Sequence, residues 1–251
     1  MKVTHVHKDY QHIGPQLWDA IDNFETMGAY VTKGERNVIK KVEIKGEVYN
    51  IKKFKTPNAV QRLVYRYLRK SKAKRSFQYA KILTEKGINT PLPVGYVEVF
   101  VGGLKDSYYI SKHVDYDFDF RVLNHNPNWP NRAEVLRQMA AFTFQLHEKE
   151  INFLDHSPGN TLINDMGDGT YDFYLIDLNR MRFEPMDFHK RMHNFRRLWL
   201  SKTMINIMAK EYARLYGKPE KETHALMTKY SRAFQKKVNS KKIRRRRRDS
   251  R

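Results

Sequence analysis

Apolar and charged residues alternate through residues 30–55, YVTKGERNVIKKVEIKGEVYNIKKFK, around the turn-forming Gly34 and Gly46. Such alternation places successive side chains on opposite faces and predicts two or three antiparallel strands. From 59 to 86 the spacing changes to three and four. Val60, Leu63, Val64, Tyr67 and Leu68 share one stripe, and Phe77, Ala80, Ile82 and Leu83 a later one, so a helical stretch is expected that Gly87 ends. Two alternating runs about Gly102 and Gly103, in VEVFVGGLKDSYYISKHVD, predict a hairpin that completes a small sheet. Beyond 131 the pattern is mostly helical: Val135, Leu136, Met139, Phe142 and Leu146 mark a buried helix ending near His147, and 187–200, 203–216 and 220–238 follow the same period. One feature interrupts these helices. INFLDHSPGNTLI (151–163) and DFYLIDLNRM (172–181) read as short apolar strands bracketing polar loops, joined by the turn NDMGDGT. The fold class is α+β, with a strand-rich first lobe over 1–115, a mainly helical second lobe over 116–240 and a basic tail over 241–251.

Composition narrows the chemistry. A hydrophobic content of 40% over 251 residues is ample for a core. The chain has no cysteine, which excludes disulfides, thiolate metal sites and a cysteine nucleophile, so a bound metal would use oxygen or histidine. No apolar run reaches the roughly 18–20 residues of a spanning helix, and MKVTHVHKDY lacks the apolar stretch of a signal peptide. A cytoplasmic location or a cytosolic membrane face is therefore expected.

The net charge is +21, and the tail KKIRRRRRDSR contributes +7 of it, leaving a body that is itself basic at +14. Such a charge calls for a polyanionic partner: anionic lipid, a phosphorylated sugar or nucleic acid. The acid-free segment RLVYRYLRKSKAKR (62–75) reads either as a solvated helix face or as an anion-binding surface whose tyrosines pack on lipid or sugar. His5, His7 and His12 suggest a metal by spacing alone, but a frayed terminus is the simpler expectation.

Asp155 and Asn160 are separated by a loop containing Pro158 and Gly159, and Asp177 ends the apolar run Phe173–Ile176. A hairpin through the Gly167 and Gly169 turn would bring Asp177 beside Asn160. A carboxylate and an amide oxygen side by side suit Mg²⁺, which takes few protein oxygens and completes its octahedron with water and phosphate. Asp155 is then left as a base. The order of these three residues resembles that of kinases, D-x-x-x-x-N followed by the aspartate of D-F-G. In VYNIKKF, Lys52 stands where the kinase phosphate-binding lysine of V-A-I-K stands. Its neighbour Lys53 would point to the opposite strand face, so the choice depends on register.

The runs RSFQYAKILTEKGINTPLPVGYVE, QLHEKEINFLDHSPGNTLI and YLIDLNRMRF resemble the lipopolysaccharide kinase (Kdo/WaaP) family over most of residues 35–216. The resemblance implies a bilobal protein-kinase-like fold. It further implies use of ATP and Mg²⁺ to phosphorylate a Kdo or heptose hydroxyl of the lipopolysaccharide inner core at the cytosolic membrane face. On this resemblance Asp155 is the catalytic aspartate, Asn160 and Asp177 are metal ligands, and Lys52 binds ATP. The basic surface and tail then have anionic lipid and lipopolysaccharide as partners.

The chain departs from the general kinase pattern. It has no G-x-G-x-x-G, and GERNVIKKV around Gly34 is at best a degenerate phosphate-covering loop. The helix that supplies a glutamate to the kinase lysine offers Ser76 or Gln78 instead, with Glu85 near its end. Phe153 replaces the histidine of H-R-D, Leu178 and Asn179 replace the phenylalanine and glycine of D-F-G, and there is no A-P-E segment. Loss of that peptide platform favours a small hydroxyl acceptor. Arg180 and Arg182 could hold an acceptor's phosphate or carboxylate, or form structural ion pairs. His156, next to Asp155, could orient substrate, but a solvent-facing loop histidine is the simpler expectation. Two alternatives stay open: a pseudokinase that binds membrane or a partner without turnover, and an RNA-associated kinase-like module using the terminal arginines.

Overall fold

In the computed structural model, which describes residues 1–34 and 37–249, contacts divide the chain into two units, Met1–Asp115 and Tyr116–Arg251. Glu35 and Arg36 of the stretch after Gly34, and Ser250 and Arg251 of the tail, lie outside the described residues.

The first unit runs β1 (Lys2–Val6), α1 (Gly14–Asp22), β2 (Ala29–Lys33), β3 (Asn37–Ile44), β4 (Glu47–Phe54), α2 (Ala59–Tyr67), α3 (Lys72–Glu85), β5 (Pro93–Phe100) and β6 (Leu104–Lys112). Its strands form one antiparallel six-stranded sheet in the order β1-β5-β6-β4-β3-β2. The alternation read from sequence sorts side chains to two faces. On one, Val42, Ile44, Tyr49, Ile51, Val97, Tyr108 and Ile110 pack beneath Ile13, Leu17, Ala20 and Ile21 at the amino end. On the other, Phe54 and Tyr96 pack with Ala73 and Phe77 of α3.

The amino terminus is not frayed. β1 pairs with β5 from Lys2↔Val99 to Val6↔Gly95, and His5 stacks on Tyr96 at 5.3 Å and meets the Phe77 ring edge-on at 4.8 Å. Gly95 allows this approach, because a β-carbon there would lie 2.4 Å from the His5 carbonyl oxygen. His5 is thus part of the packing, and His7 caps the turn that follows by accepting from the Asp9 backbone N–H.

The helical stretch between 59 and 86 is two helices. Asn58 caps α2 by accepting from the Gln61 N–H, and Ser71 caps α3 by accepting from the Lys74 N–H; each supplies a partner to an amide that the helix start leaves without one. α3 buries Ala73, Phe77, Ala80 and Leu83. No residue of α2 is buried: Val60, Leu63 and Tyr67 are exposed, as is Leu68 just beyond its end.

Lys40, only 1% exposed, donates its ammonium to the carbonyls of Phe24 (2.6 Å), Glu25 (3.0 Å) and Met27 (3.1 Å). Lys40→Met keeps the stem and leaves these buried acceptors without a donor, so a loss of about 3 kcal/mol is expected in urea unfolding. A loss below about 0.5 kcal/mol would mean that water replaces the ammonium.

The second unit runs β7 (Phe118–Asp119), α4 (Arg121–His125), α5 (Arg132–Glu148), β8 (Ile151–Phe153), β9 (Thr161–Asp165), β10 (Tyr171–Leu175), β11 (Met181–Phe183), α6 (Phe188–Asn194), α7 (Lys202–Tyr216) and α8 (Glu220–Asp249). Its core joins Leu136, Met139 and Ala140 of α5 to Met204, Met208 and Tyr212 of α7, with Phe195 and Met227 closing it. Methionine fills irregular gaps between helices, which suits a core crossed by three short β pairings. The last helix extends past 238, where the apolar pattern ends, and continues through the arginine run to Asp249. Its first half packs through Thr223, Met227 and Ser231, whereas residues 239–248 are exposed. No helix of the described residues is long and apolar enough to cross a membrane.

Candidate active site

Two short antiparallel pairings assemble the polar loops of the second unit. β8 pairs with β11 (Phe153↔Met181), and beyond it the Leu154 N–H donates to the Arg180 carbonyl at 3.0 Å. β9 pairs with β10 (Thr161↔Leu175), and beyond it the Ile176 N–H donates to the Asn160 carbonyl at 3.0 Å. Asp155, Asn160 and Asp177 therefore issue from adjoining strand ends. The hairpin anticipated through Gly167 and Gly169 forms and sets Asp177 one residue past the backbone contact with Asn160.

The Asn160 side chain is oriented. Its Nδ2 donates to the Asp155 carbonyl oxygen at 2.8 Å, and since a carbonyl only accepts, the amide Oδ1 must face away from that bond. The Ser157 N–H donates to the same carbonyl at 2.7 Å, tightening the loop. Asp177 has φ 58°, a left-handed conformation that aspartate tolerates better than most residues, and its Oδ1 accepts from Asn179 Nδ2 at 2.5 Å. Asn179, in the place of a glycine in D-F-G, thus steers the carboxylate. Asn160 and Asp177 offer hard oxygens on rigid supports, a donor set that fits Mg²⁺. No group of three or more His, Asp or Glu among the described residues offers a competing metal site.

Cations surround Asp155. Arg197 Nη2 lies 2.6 Å from its Oδ1, and Arg180 Nη1 lies 3.8 Å from its Oδ2. Arg197 is itself seated over the Phe234 ring of α8 at 5.4 Å. Arg180 is the more exposed partner, with 61% of its side chain accessible, which leaves its guanidinium available to an incoming anion. Across the loop, Arg121 is tied to Asp119 at 2.9 Å and lies against Gly159, where a β-carbon would fall 1.8 Å from its Nη2. Glycine at 159 is what lets this guanidinium rest on the loop.

His156 is buried rather than solvent-facing. It is 0% exposed and stacks on Phe153 at 5.7 Å. Asn194 Nδ2 donates to Phe153 O and Asn152 Oδ1, both at 3.0 Å, so Asn194 Oδ1 faces His156 Nδ1 at 3.1 Å and the histidine donates. Burial pushes its pKa down to about 4, against a smaller opposing effect of Asn194. Burial likewise pushes His147, whose Nδ1 meets the Tyr212 hydroxyl at 2.8 Å, down to about 3.

Both histidines are neutral when folded near neutrality, while in the unfolded chain they titrate near 6.5. Below that value the unfolded chain binds protons that the folded one refuses, so stability is full above pH 6.5 and is lost as pH falls toward the folded values. At pH 5 the two together should cost about 4 kcal/mol, and His156→Gln should reduce the loss between pH 7 and 5 by about 2 kcal/mol. Equal pH losses for wild type and variant in urea unfolding would contradict this assignment.

In the first unit, register separates the two lysines. Lys53 lies on the Tyr108 face, and its ammonium is 2.8 Å from Glu25. Burial disfavours its charge, but Glu25 with Tyr108 and Asp106 raises its pKa overall. Lys52 pairs with Tyr109 and lies on the face that α3 covers, its ammonium 5.3 Å from the Phe54 ring centroid. On α3, Ser76 is buried, Gln78 accepts from Lys70 at 2.9 Å, and the helix's sole carboxylate, Glu85, faces Lys81 at 3.7 Å.

Arg197, Asn194 and Arg121 were not evident from sequence spacing. Asn194 ends α6 and Arg197 lies just beyond it, and the density of cations in FRRLW is the one signal in the sequence that points to a carboxylate partner.

A family model described as the lipopolysaccharide kinase (Kdo/WaaP) family matches residues 20–230. Among solved structures the chain is similar to "WaaP in complex with acyl carrier protein", with a TM-score of 0.63 and 16% identity over 93% of this chain and 98% of that one. At this identity the likeness shows the fold, which is kinase-like. Curated protein sequences gave no match. The matched span holds Lys52, Asp155, Asn160 and Asp177, and the protein belongs to the lipopolysaccharide kinase (Kdo/WaaP) family.

Proposed function

We propose that the protein transfers the γ-phosphate of ATP to a hydroxyl of an inner-core lipopolysaccharide sugar, Kdo or heptose, at the cytosolic membrane face. The arrangement of Asp155, Asn160 and Asp177 on paired strand ends carries this reading, because it joins a base to two oxygen donors. In the proposed reaction the acceptor oxygen attacks the γ-phosphorus, the bond to the ADP oxygen breaks, and the acceptor proton passes to Asp155. Arg197 holds the Asp155 carboxylate in one orientation for that task. Asn160 and Asp177 would hold Mg²⁺, which neutralises phosphate charge when bound. Lys52, on the sheet face away from the Glu25 pair, would bind the ATP phosphates.

Arg180 adds a reason for an anionic acceptor. Its exposed guanidinium beside Asp155 suits a carboxylate or phosphate, which Kdo and phosphorylated cores carry. The test is transfer from γ-labelled ATP, with and without Mg²⁺, to precursors ending in Kdo or in heptose. Label in an acid-stable sugar ester with one of them supports the reading; none with either, at saturating enzyme, rules it out. A non-catalytic binding module is the second reading, favoured by the absence of an α3 carboxylate facing the sheet. Nucleotide binding without transfer would support it.

A further inference from the structure

We propose that α2 is a membrane-docking element whose apolar ridge enters an anionic bilayer surface. Val60 (72% exposed), Leu63 (51%), Tyr67 (72%) and Leu68 (82%) recur at three, four and one, so they form one solvent-facing stripe. A nine-residue helix with such a stripe and no buried residue is unusual, because packing an apolar face is what ordinarily holds a helix in place. Here α2 is retained by its polar side instead. Asn58 caps it, and Arg62 donates to the Val101 carbonyl of the β5–β6 turn, where Gly103 leaves room for the Arg62 side chain. Val101, itself 56% exposed, adds an apolar residue at that turn.

Charge decides what covers the stripe. Residues 55–84 contain nine lysines and arginines and no acid. Arg66, Arg69 and Lys70 are exposed beside the stripe, and Arg66 lies over the Tyr67 ring at 5.4 Å. An apolar face edged by cations and an aromatic is the pattern of a helix lying in the headgroup layer of an anionic bilayer. Lipid accommodates such an exposed stripe without a preformed counterpart, whereas a protein partner would need a matching groove. The inference shares the membrane location with the kinase reading, but its test involves no phosphate transfer, so either can fail alone.

The chain's lack of cysteine makes a single-site probe direct. In the full chain, Leu68→Cys carries an environment-sensitive fluorophore, with Asp168→Cys on an exposed turn of the second unit as control. Vesicles of phosphatidylcholine with about one-third phosphatidylglycerol should blue-shift and brighten the label at 68, chain-labelled nitroxide lipid should quench it, and the label at 168 should not respond. Pure phosphatidylcholine should bind at least about tenfold more weakly, and so should Leu63→Ser/Tyr67→Ser on anionic vesicles, with unchanged melting. Three results would overturn the proposal: no vesicle binding, binding with the label at 68 still in water, as when the arginine-rich end of α8 alone recruits the chain, or a response to an acidic protein but not to vesicles.

Discussion

Asp177→Asn should lower phosphate transfer by about 10³-fold while the melting temperature stays within a few degrees of wild type. Asparagine adopts the left-handed conformation found at 177 as readily as aspartate, so the backbone turn between β10 and β11 survives. What disappears is the negative charge that, in the proposed reaction, holds the metal. A fall of less than tenfold, measured as kcat with saturating Mg²⁺ and acceptor, would remove Asp177 from that role.

The second large effect separates two adjacent lysines. Lys52→Met should cost about 10²-fold in kcat/KM for ATP, because one preorganised charge on transferring phosphate is lost. Lys53→Met breaks the pair with Glu25, which is 74% exposed, and should cost no more than about 1 kcal/mol of stability with activity within about threefold. If Lys53→Met were the crippled variant, the ATP-binding role would belong to the Glu25 face of the sheet and the proposed correspondence would be wrong.

Elements set by local pattern were legible in the sequence. The alternation in β3 and β4, the Gly-Gly turn between β5 and β6 and the spacing in α5 gave their positions directly, because one buried face imposes its period on the residues. The juxtaposition of Asp155, Asn160 and Asp177 was legible for the same reason: two short apolar runs with a glycine turn have one plausible pairing.

What could not be read depends on partners distant in sequence. KVTHV becomes a strand only because β5, some ninety residues later, offers Gly95 and an edge. His156 is buried because Asn194 reaches it from α6, and nothing near position 156 announces that. Periodicity showed which residues of α2 share a face but not that the face lies open. In sequence the arginine run reads as a separate basic tail because the helical apolar pattern ends at 238. A helix already anchored at Met227 and Ser231 carries it instead, its cations placed favourably at the carboxyl end of the helix dipole.

The most direct test of the central claim compares wild type with Asp155→Ala for transfer of labelled γ-phosphate to a lipopolysaccharide precursor, with nucleotide affinity measured on the same samples. The account predicts a loss of about 10³-fold or more in transfer with nucleotide affinity unchanged within about threefold, since Asp155 acts on the acceptor hydroxyl. Undiminished transfer by Asp155→Ala would contradict it, for the base would then lie elsewhere.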